Sequence, residues 1–544
     1  MLSFWASFWQ QFFSQKPVPP PVIDTPTEIE LKRWSSSHWV EYQAWLFHHS
    51  FLTLHDWQQL RKQALAWTEP PLISVITPVF NTPPAWLQAC IYSVQTQAYP
   101  NWEMCLVNDG SDDPDILAKL RELATADPRL RVQHLAKNQG ICQATNQAIA
   151  MATGDYVVFL DHDDRLAPEA LYHVAKTVLE KPETDIVYSD RDTLSPNGLR
   201  FLHLFKPDWS PETLLSGNYL FHLVGYRRDF LQQLSGVRVG FEGSQDYDLL
   251  LRAAEQQPQV QHIPRVLYHW RQHRQSVALE QNAKEYVYTA GVRALQESLQ
   301  RQGVSAQVTE NNELWRGHYR IHFSPATVFN YKVLPVQTSD HYAQLANQQF
   351  EKNKNLEFLV ILAPEMIALN KETLTELIAW LQLPAVGIVT GKVIDQQGQL
   401  LHAGLVQRAT GIPLAVYSGF PENTPGYMAV TAIVRNVSTP HPFCCALKRK
   451  IWQQMGGLNP AYVGAYALFD FALRALIAGH RVVYTPHARF QASQWQLFEN
   501  DSVSDRERFV AQWTSWLQTG DPYYSRYLTL ELVDMGLNLN LNDE

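Results

Sequence analysis

Gly154–Asp164 reads GDYVVFLDHDD, in which five apolar or aromatic residues, Tyr156 to Leu160, run directly into Asp161, Asp163 and Asp164. A short, continuous apolar run bounded by turn residues predicts a strand buried on both faces, as in a parallel sheet. Open α/β sheets bind ligands at the carboxyl ends of such strands, where these three carboxylates stand. Like charges crowded together disfavour one another's ionisation unless something positive joins them. A divalent cation takes oxygen ligands of this type, and a diphosphate completes its shell. The plainer reading is an acidic loop that caps the helix opened by Ala167-Pro168-Glu169.

The residues before this strand extend the pattern. Apolar runs at 72–77, 103–107 and 132–135 each precede a helical stretch, at 86–97, 115–124 and 139–152. Strands separated by helices of this length predict βαβ units, hence a doubly wound, mostly parallel α/β sheet. Polar residues again mark the strand ends, Asn81 after the first run and Asn108-Asp109 after the second. Asn108-Asp109-Gly110 also reads as a tight turn that needs positive φ at its glycine.

With 46% hydrophobic and 18% charged residues this is an ordinary folded chain, and 544 residues are too many for one core. A net charge of −9 argues against a nucleic-acid partner. Cys90, Cys105, Cys142, Cys444 and Cys445 lack metal-site spacing and read as buried thiols in a reducing compartment. No stretch reaches the ~20 apolar residues that span a bilayer. Residues 1–15 set Phe4, Trp5, Phe8, Trp9, Phe12 and Phe13 at helical spacing, without the basic region or cleavage site of a signal peptide. That aromatic face predicts a helix lying in the membrane–water interface or docked on protein. A proline-rich linker (16–29) and a helical, aromatic segment (30–69) follow. The sheet domain is expected over 70–280, a helical connector over 281–309 and a packing tail over 496–544.

Residues 310–495 carry a decayed repeat of the sheet domain. Ala144–Asp164 aligns without gaps on Leu345–Glu365, and Asp248–Arg252 (DLLLR) on Asp470–Arg474 (DFALR). In that alignment Leu362, Pro364 and Glu365 take the positions of Asp161, Asp163 and Asp164, while Leu468 replaces Asp246 and Gln491 replaces His269. A truncated, non-catalytic second domain lacking the early strands is expected.

Five strings in order now stand out: ITPVFN (76–81), VNDGSDD (107–113), GDYVVFLDHDD (154–164), GSQDYDLLLR (243–252) and LYHWR (267–271). Together they resemble the inverting family 2 glycosyltransferases of GT-A fold. The wider chain, with DPYYSRYL at 521–528, is similar to bacterial surface-polysaccharide (O-antigen) transferases with two such domains in tandem. The resemblance implies that Pro78, Val79 and Asn81 cradle the donor's base and ribose. It implies that Asp109 accepts from the base's ring N–H, as uracil or thymine offers, and that Asp161 meets the ribose. Asp163 and His269 would hold Mn²⁺ or Mg²⁺, Arg271 and Arg274 would contact the diphosphate, and Asp246 would be the general base. Where the family usually has Glu-Asp this chain has Gln245-Asp246, which spares the aspartate. The implied partners are a nucleotide-sugar donor and a glycan or lipid-linked acceptor, at the inner face of the cytoplasmic membrane.

Two other readings stay open. A sugar nucleotidyltransferase also uses such a sheet and a metal, but PVFNTPP (78–84) is not the Gly-rich, basic phosphate loop it would show. A catalytically silent scaffold is the other; the intact Asp163, Asp246 and His269 speak against it.

Overall fold

A computed structural model describes residues 36–272, 285–324, 329–337, 341–492 and 503–539. The expected aromatic helix at 1–15, the linker at 16–29 and Arg274 lie outside the described residues. Two helices, α1 (Ser36–His49) and α2 (Leu54–Leu65), come first. Then β1 (Ile73–Val79), α3 (Pro84–Gln95), β2 (Trp102–Asn108), α4 (Pro114–Ala126), β3 (Leu130–His134), α5 (Ile141–Met151) and β4 (Tyr156–Phe159) alternate as the apolar runs predict. Helix starts obey local rules: Pro84 and Pro114 occupy first turns where no N–H is needed, and Asp113 caps α4 through the Asp115 N–H.

The sheet is completed by β5 (Arg165–Leu166), α6 (Ala170–Glu180), β6 (Ile186–Leu194), β7 (Arg200–Leu204), α7 (Pro211–Leu214), β8 (Val224–Arg227), α8 (Arg228–Gln233), α9 (Gln245–Glu255) and β9 (Val260–Arg271). Spatial order is β3-β2-β1-β4-β8-β6-β9-β5, with β7 on β6. β1 runs parallel to β2 and β4, and β6 to β9; β8 is antiparallel between β4 and β6. Every residue of β2 and of β6 is buried, so both faces of the centre are covered. β6 thereby buries Asp190, Arg191 and Asp192, which demand partners.

A helix, α10 (Glu285–Arg301), and a hairpin, β10 (Ala306–Glu310) with β11 (Tyr319–Phe323), lead to a second sheet. It comprises β12 (Tyr331–Pro335), α11 (Tyr342–Lys352), β13 (Phe358–Leu362), β14 (Ile367–Ala368), α12 (Thr373–Ala379), β15 (Val386–Ile394) and β16 (Leu400–His402). A short separate pair, β17 (Leu405–Val406) and β18 (Leu414–Ala415), follows. β19 (Arg435–Asn436), β20 (Cys444–Lys448), α13 (Arg449–Gln454), α14 (Tyr466–Ile477) and β21 (Arg481–Gln491) close the sheet, before a last helix, α15 (Val503–Thr519).

The order β12-β13-β20-β15-β21-β14 repeats β1-β4-β8-β6-β9-β5, with the same parallel or antiparallel sense at each step. Among the described residues β2 and β3 have no counterpart. The repeat reaches individual side chains. Asn146 Nδ2 donates to the Val237 carbonyl (2.8 Å) and its Oδ1 accepts the Val237 N–H (3.0 Å). Asn347 brackets Leu458 in the same way (2.8 and 3.0 Å). Asp248 pairs with Arg252 (2.9 Å) as Asp470 does with Arg474 (2.8 Å). Each arginine also donates to two carbonyls of the preceding turn, Leu234 and Gly236, or Met455 and Gly457. Shared solutions to one packing problem mark the second sheet as a truncated copy of the first.

Strand register moves one expectation by a residue. Arg165 pairs with His269 and Ile367 with Gln491, while the Asp164 N–H bonds Asp161 O as the Met366 N–H bonds Ala363 O. Ala363 and Glu365 therefore stand where Asp161 and Asp163 do, and Pro364 stands at His162. One residue is inserted between α11 and β13, which the ungapped alignment missed.

The two halves meet through polar contacts: Glu212 accepts from Arg481 (2.8 Å) and Asn436 (2.7 Å), and the Asp208 N–H donates to Pro522 O (2.8 Å). No helix among the described residues is long and apolar enough to cross a membrane.

Candidate active site

After β4 the chain turns through Asp161-His162-Asp163-Asp164 into β5, which pairs antiparallel with β9 at Tyr268 and His269. This pairing folds the carboxylate loop onto the LYHWR segment. The Tyr268 hydroxyl donates to Asp164 Oδ2 (2.5 Å) and accepts the Asp161 N–H (3.2 Å). Arg271 donates its N–H to Asp164 Oδ1 (2.6 Å) and its Nε to the Asp163 carbonyl (2.7 Å). Both Asp164 oxygens are thus engaged in shaping the loop, which sets Asp164 apart from Asp161 and Asp163. Arg271, buried and lying over the Trp86 ring (5.4 Å), clamps the loop's main chain. Although 46% of the Asp161 side chain is open to solvent, desolvation in the cleft and the charges of Asp163 and Asp246 push its carboxyl up to about 7.

His269 is buried on β9, with Nδ1 2.6 Å from Asp192 Oδ1 on β6. Burial lowers its pKa, so the ring is a neutral imidazole. With Nδ1 committed to a carboxylate, Nε2 is the atom left to ligate, an arrangement typical of metal-binding histidines. Among the described residues no three His, Cys, Asp or Glu side chains converge as a cage. Asp163 and His269 are oxygen and nitrogen donors that could hold an ion only if its remaining ligands came with a diphosphate.

Asp246 opens α9. Its Oδ2 accepts from Asn218 Nδ2 (2.9 Å) and its Oδ1 from the Tyr247 N–H (2.8 Å). Desolvation raises its pKa against these hydrogen bonds, which makes it a stronger base than an exposed aspartate. Pro78, Asp161, Asn218, His222 and Asp246 line one cavity of about 80 Å³.

The second strand end is built from backbone. Both Asp109 oxygens accept main-chain N–H groups, Gln139 (2.7 Å) and Gly140 (2.9 Å), and a carboxylate has lone pairs beyond these two. Gly110 has φ +69°, and a Cβ there would sit 2.4 Å from Asn138 N, so the tight-turn reading holds alongside any contact with a base. Asn81 ties β1 to this loop through Ser111 Oγ (3.1 Å) and the Asp112 N–H (3.3 Å). Val79 is fully buried, and its carbonyl accepts the Asp109 N–H (2.8 Å), which ties the end of β1 to the Asp109 loop.

Residues 74–234 match the family model described as Glycosyl transferase family 2. The first sheet domain is a family 2 glycosyltransferase domain. The chain is 32% identical over 87% of its length to the O-antigen biosynthesis protein RfbC of Myxococcus xanthus, covering 41% of that protein. It is 32% identical over 86% of its length to protein y4gI of Sinorhizobium fredii, covering 59% of it. Against the hyaluronan synthase of Pasteurella multocida, identity is 27% over 43% of this chain and 24% of that one. The chain therefore spans about half the length of the first two relatives.

Two groups in this glycosyltransferase site gave no signal in the sequence. Asp192 lies in the strand string YSDRD, where alternation hides it among structural charges. His222 interrupts an otherwise apolar run; its Nε2 lies 3.5 Å from Asp161 and its ring stacks on Tyr268 (4.8 Å). Burial pushes its pKa down to about 3, so it meets Asp161 as a neutral ring.

Behind β6, His262 bridges Asp190 (2.9 Å) and Asp208 (3.0 Å). Against desolvation, these carboxylates raise its pKa to about 9. A folded pKa above the unfolded ~6.5 contributes stability that is complete below pH ~6.5 and lost as pH rises through about 9. The effect is ~3 kcal/mol at 1.36 kcal/mol per unit. Melting temperature should fall between pH 6.5 and 9, and His262→Gln should flatten that slope. An unchanged slope would assign the titration to another group.

Proposed function

We propose that the first sheet domain is a metal-dependent inverting glycosyltransferase. It moves a sugar from a UDP- or dTDP-sugar to a hydroxyl of a glycan or lipid-linked acceptor in cell-surface polysaccharide synthesis. The observation that carries this reading is the shared cavity of Asp161 and Asp246, an acidic strand end and a desolvated base on opposite elements. Asp246 takes the proton from the acceptor hydroxyl as it attacks the anomeric carbon. Pro78, Val79, Asn81 and Asp109 hold the base and ribose, Val79 by bracing the Asp109 loop through its carbonyl, and Asp161 meets the ribose. Asp163 and His269 would hold Mn²⁺ or Mg²⁺, which supplies charge stabilisation on the departing diphosphate. Arg271 acts through the loop it clamps, and a diphosphate contact remains part of the proposal for it and for Arg274. The O-antigen and hyaluronan names of the relatives support an acceptor of the polysaccharide class. The aromatic face of residues 1–15 supports a peripheral seat on the inner face of the cytoplasmic membrane. A panel of UDP- and dTDP-sugars with Mn²⁺ or Mg²⁺, scored by nucleotide release, tests the reaction. No release with any donor would favour the scaffold instead.

The second sheet domain performs no transfer in this reading. Leu468, fully buried, replaces Asp246, Gln491 replaces His269, and Ile394 stands at Asp192. Glu365→Gln, which removes its one carboxylate at a ligand position, should leave turnover unchanged. Asp470 is unsuitable for such a test because it is buried and holds Arg474, Gln512 and Trp513. Transfer lost on Glu365→Gln in a folded protein would move chemistry into this domain.

A further inference from the structure

We propose that Asp192 is the positioning residue for His269, held in turn by Tyr42 of α1 and Arg200 of β7, so that α1 is a working part of the active centre. The inference rests on His269 being a metal ligand. Asp192 has no exposed side-chain surface and receives three donors: His269 Nδ1 (2.6 Å), Arg200 Nε (2.6 Å) and the Tyr42 hydroxyl (2.8 Å). The first is on Oδ1 and the other two share Oδ2, so the carboxylate plane, and with it the imidazole, has one setting. A ligating histidine takes its ring orientation and tautomer from the group bound by its other nitrogen. Removing a donor from a buried carboxylate leaves charge uncompensated and frees that plane to rotate.

Tyr42 is placed by the rest of the chain. Its ring stacks on Trp45 (5.6 Å, 15°), and Trp45 packs against Phe205 and, edge-on, against Tyr527 of the C-terminal tail (both 5.0 Å). Tyr427 of the second half accepts the Phe205 N–H (2.7 Å) and bonds His203 Nδ1 (3.0 Å), whose ring meets Tyr42 at 5.0 Å. Segments outside the five strings of the first sheet domain thus converge behind His269. In the second sheet the corresponding positions are Ile394 and Gln491, so carboxylate and imidazole are absent together.

The test titrates Mn²⁺ into the full-length protein in the presence of UDP, by calorimetry, alongside UDP binding in excess chelator. Asp192→Asn should weaken Mn²⁺ affinity by ~10–100-fold. Tyr42→Phe, which removes one hydroxyl from a packed ring, should weaken it by about threefold. UDP binding in chelator should not change in either. A merely structural role for Tyr42 would lower melting temperature without moving Mn²⁺ affinity, and that result overturns the proposal. Wild-type affinity in both variants with loss in His269→Ala also overturns it. Wild-type affinity in His269→Ala itself would instead remove the metal-site reading on which the proposal stands. If Asp192→Asn does not fold, Tyr42→Phe decides alone.

Discussion

Asp246→Asn should cut sugar transfer by ~10²–10⁴-fold while leaving affinity for the UDP-sugar within a few-fold. The amide is the same size as the carboxylate and can still accept the Tyr247 N–H at the start of α9, so the helix and the cavity should persist. What is lost is proton acceptance. A sugar hydroxyl is a poor nucleophile until its proton leaves, and the elevated pKa of Asp246 brings its basicity closer to that task. In the proposed function the donor is held by β1, the Asp109 loop and the carboxylate loop, whereas this side chain bonds Asn218 and the Tyr247 N–H. Initial rates at saturating donor, with calorimetry of donor binding, separate the two effects. Near-normal turnover would hand the base to another group, and His222 is the next candidate on the same cavity.

Chelation should stop transfer reversibly, and Asp163→Ala should lower donor affinity and turnover together, because in the proposed mechanism one ion would both bind and activate the diphosphate. Asp163 is well suited to this test. Its main chain is pinned by Arg271, and Asp164 anchors the loop to Tyr268, so truncating the side chain should leave the loop in place. An unchanged melting temperature would confirm that. Comparison of Mn²⁺-restored rates in wild type and variant measures the loss. Full activity in excess chelator would sink the metal-dependent mechanism.

The elements of the first sheet as far as β4 were legible because each depends on neighbours in sequence. The run YVVFL is buried from both sides wherever it packs, and Pro84, Pro114 and Asp113 act within one helical turn. Asn347 and Asp470 were legible as a repeat for the same reason: each sits at a fixed offset on its own helix. The part Asp164 plays in the loop was not legible, because its partners, Tyr268 and Arg271, come from a strand about a hundred residues away. The one-residue shift that sets Glu365 opposite Asp163 was hidden because an insertion beside a strand leaves its hydrophobic run intact and changes only what it pairs with.

By itself, then, the sequence determined the alternation of strands and helices up to the acidic strand end at Asp161 and Asp163, and, through the repeat, the loss of Asp246 in the second copy. These follow from periodicity, turn chemistry and spacing along one chain. Only the tertiary structure decided that Asp164 is tied to Tyr268 and Arg271, that His222 faces Asp161, and that Asp192, held by Tyr42, stands behind His269. Those facts depend on sheet register and burial, which bring together residues as far apart as Tyr42 and His269 and leave no trace in the local pattern of either.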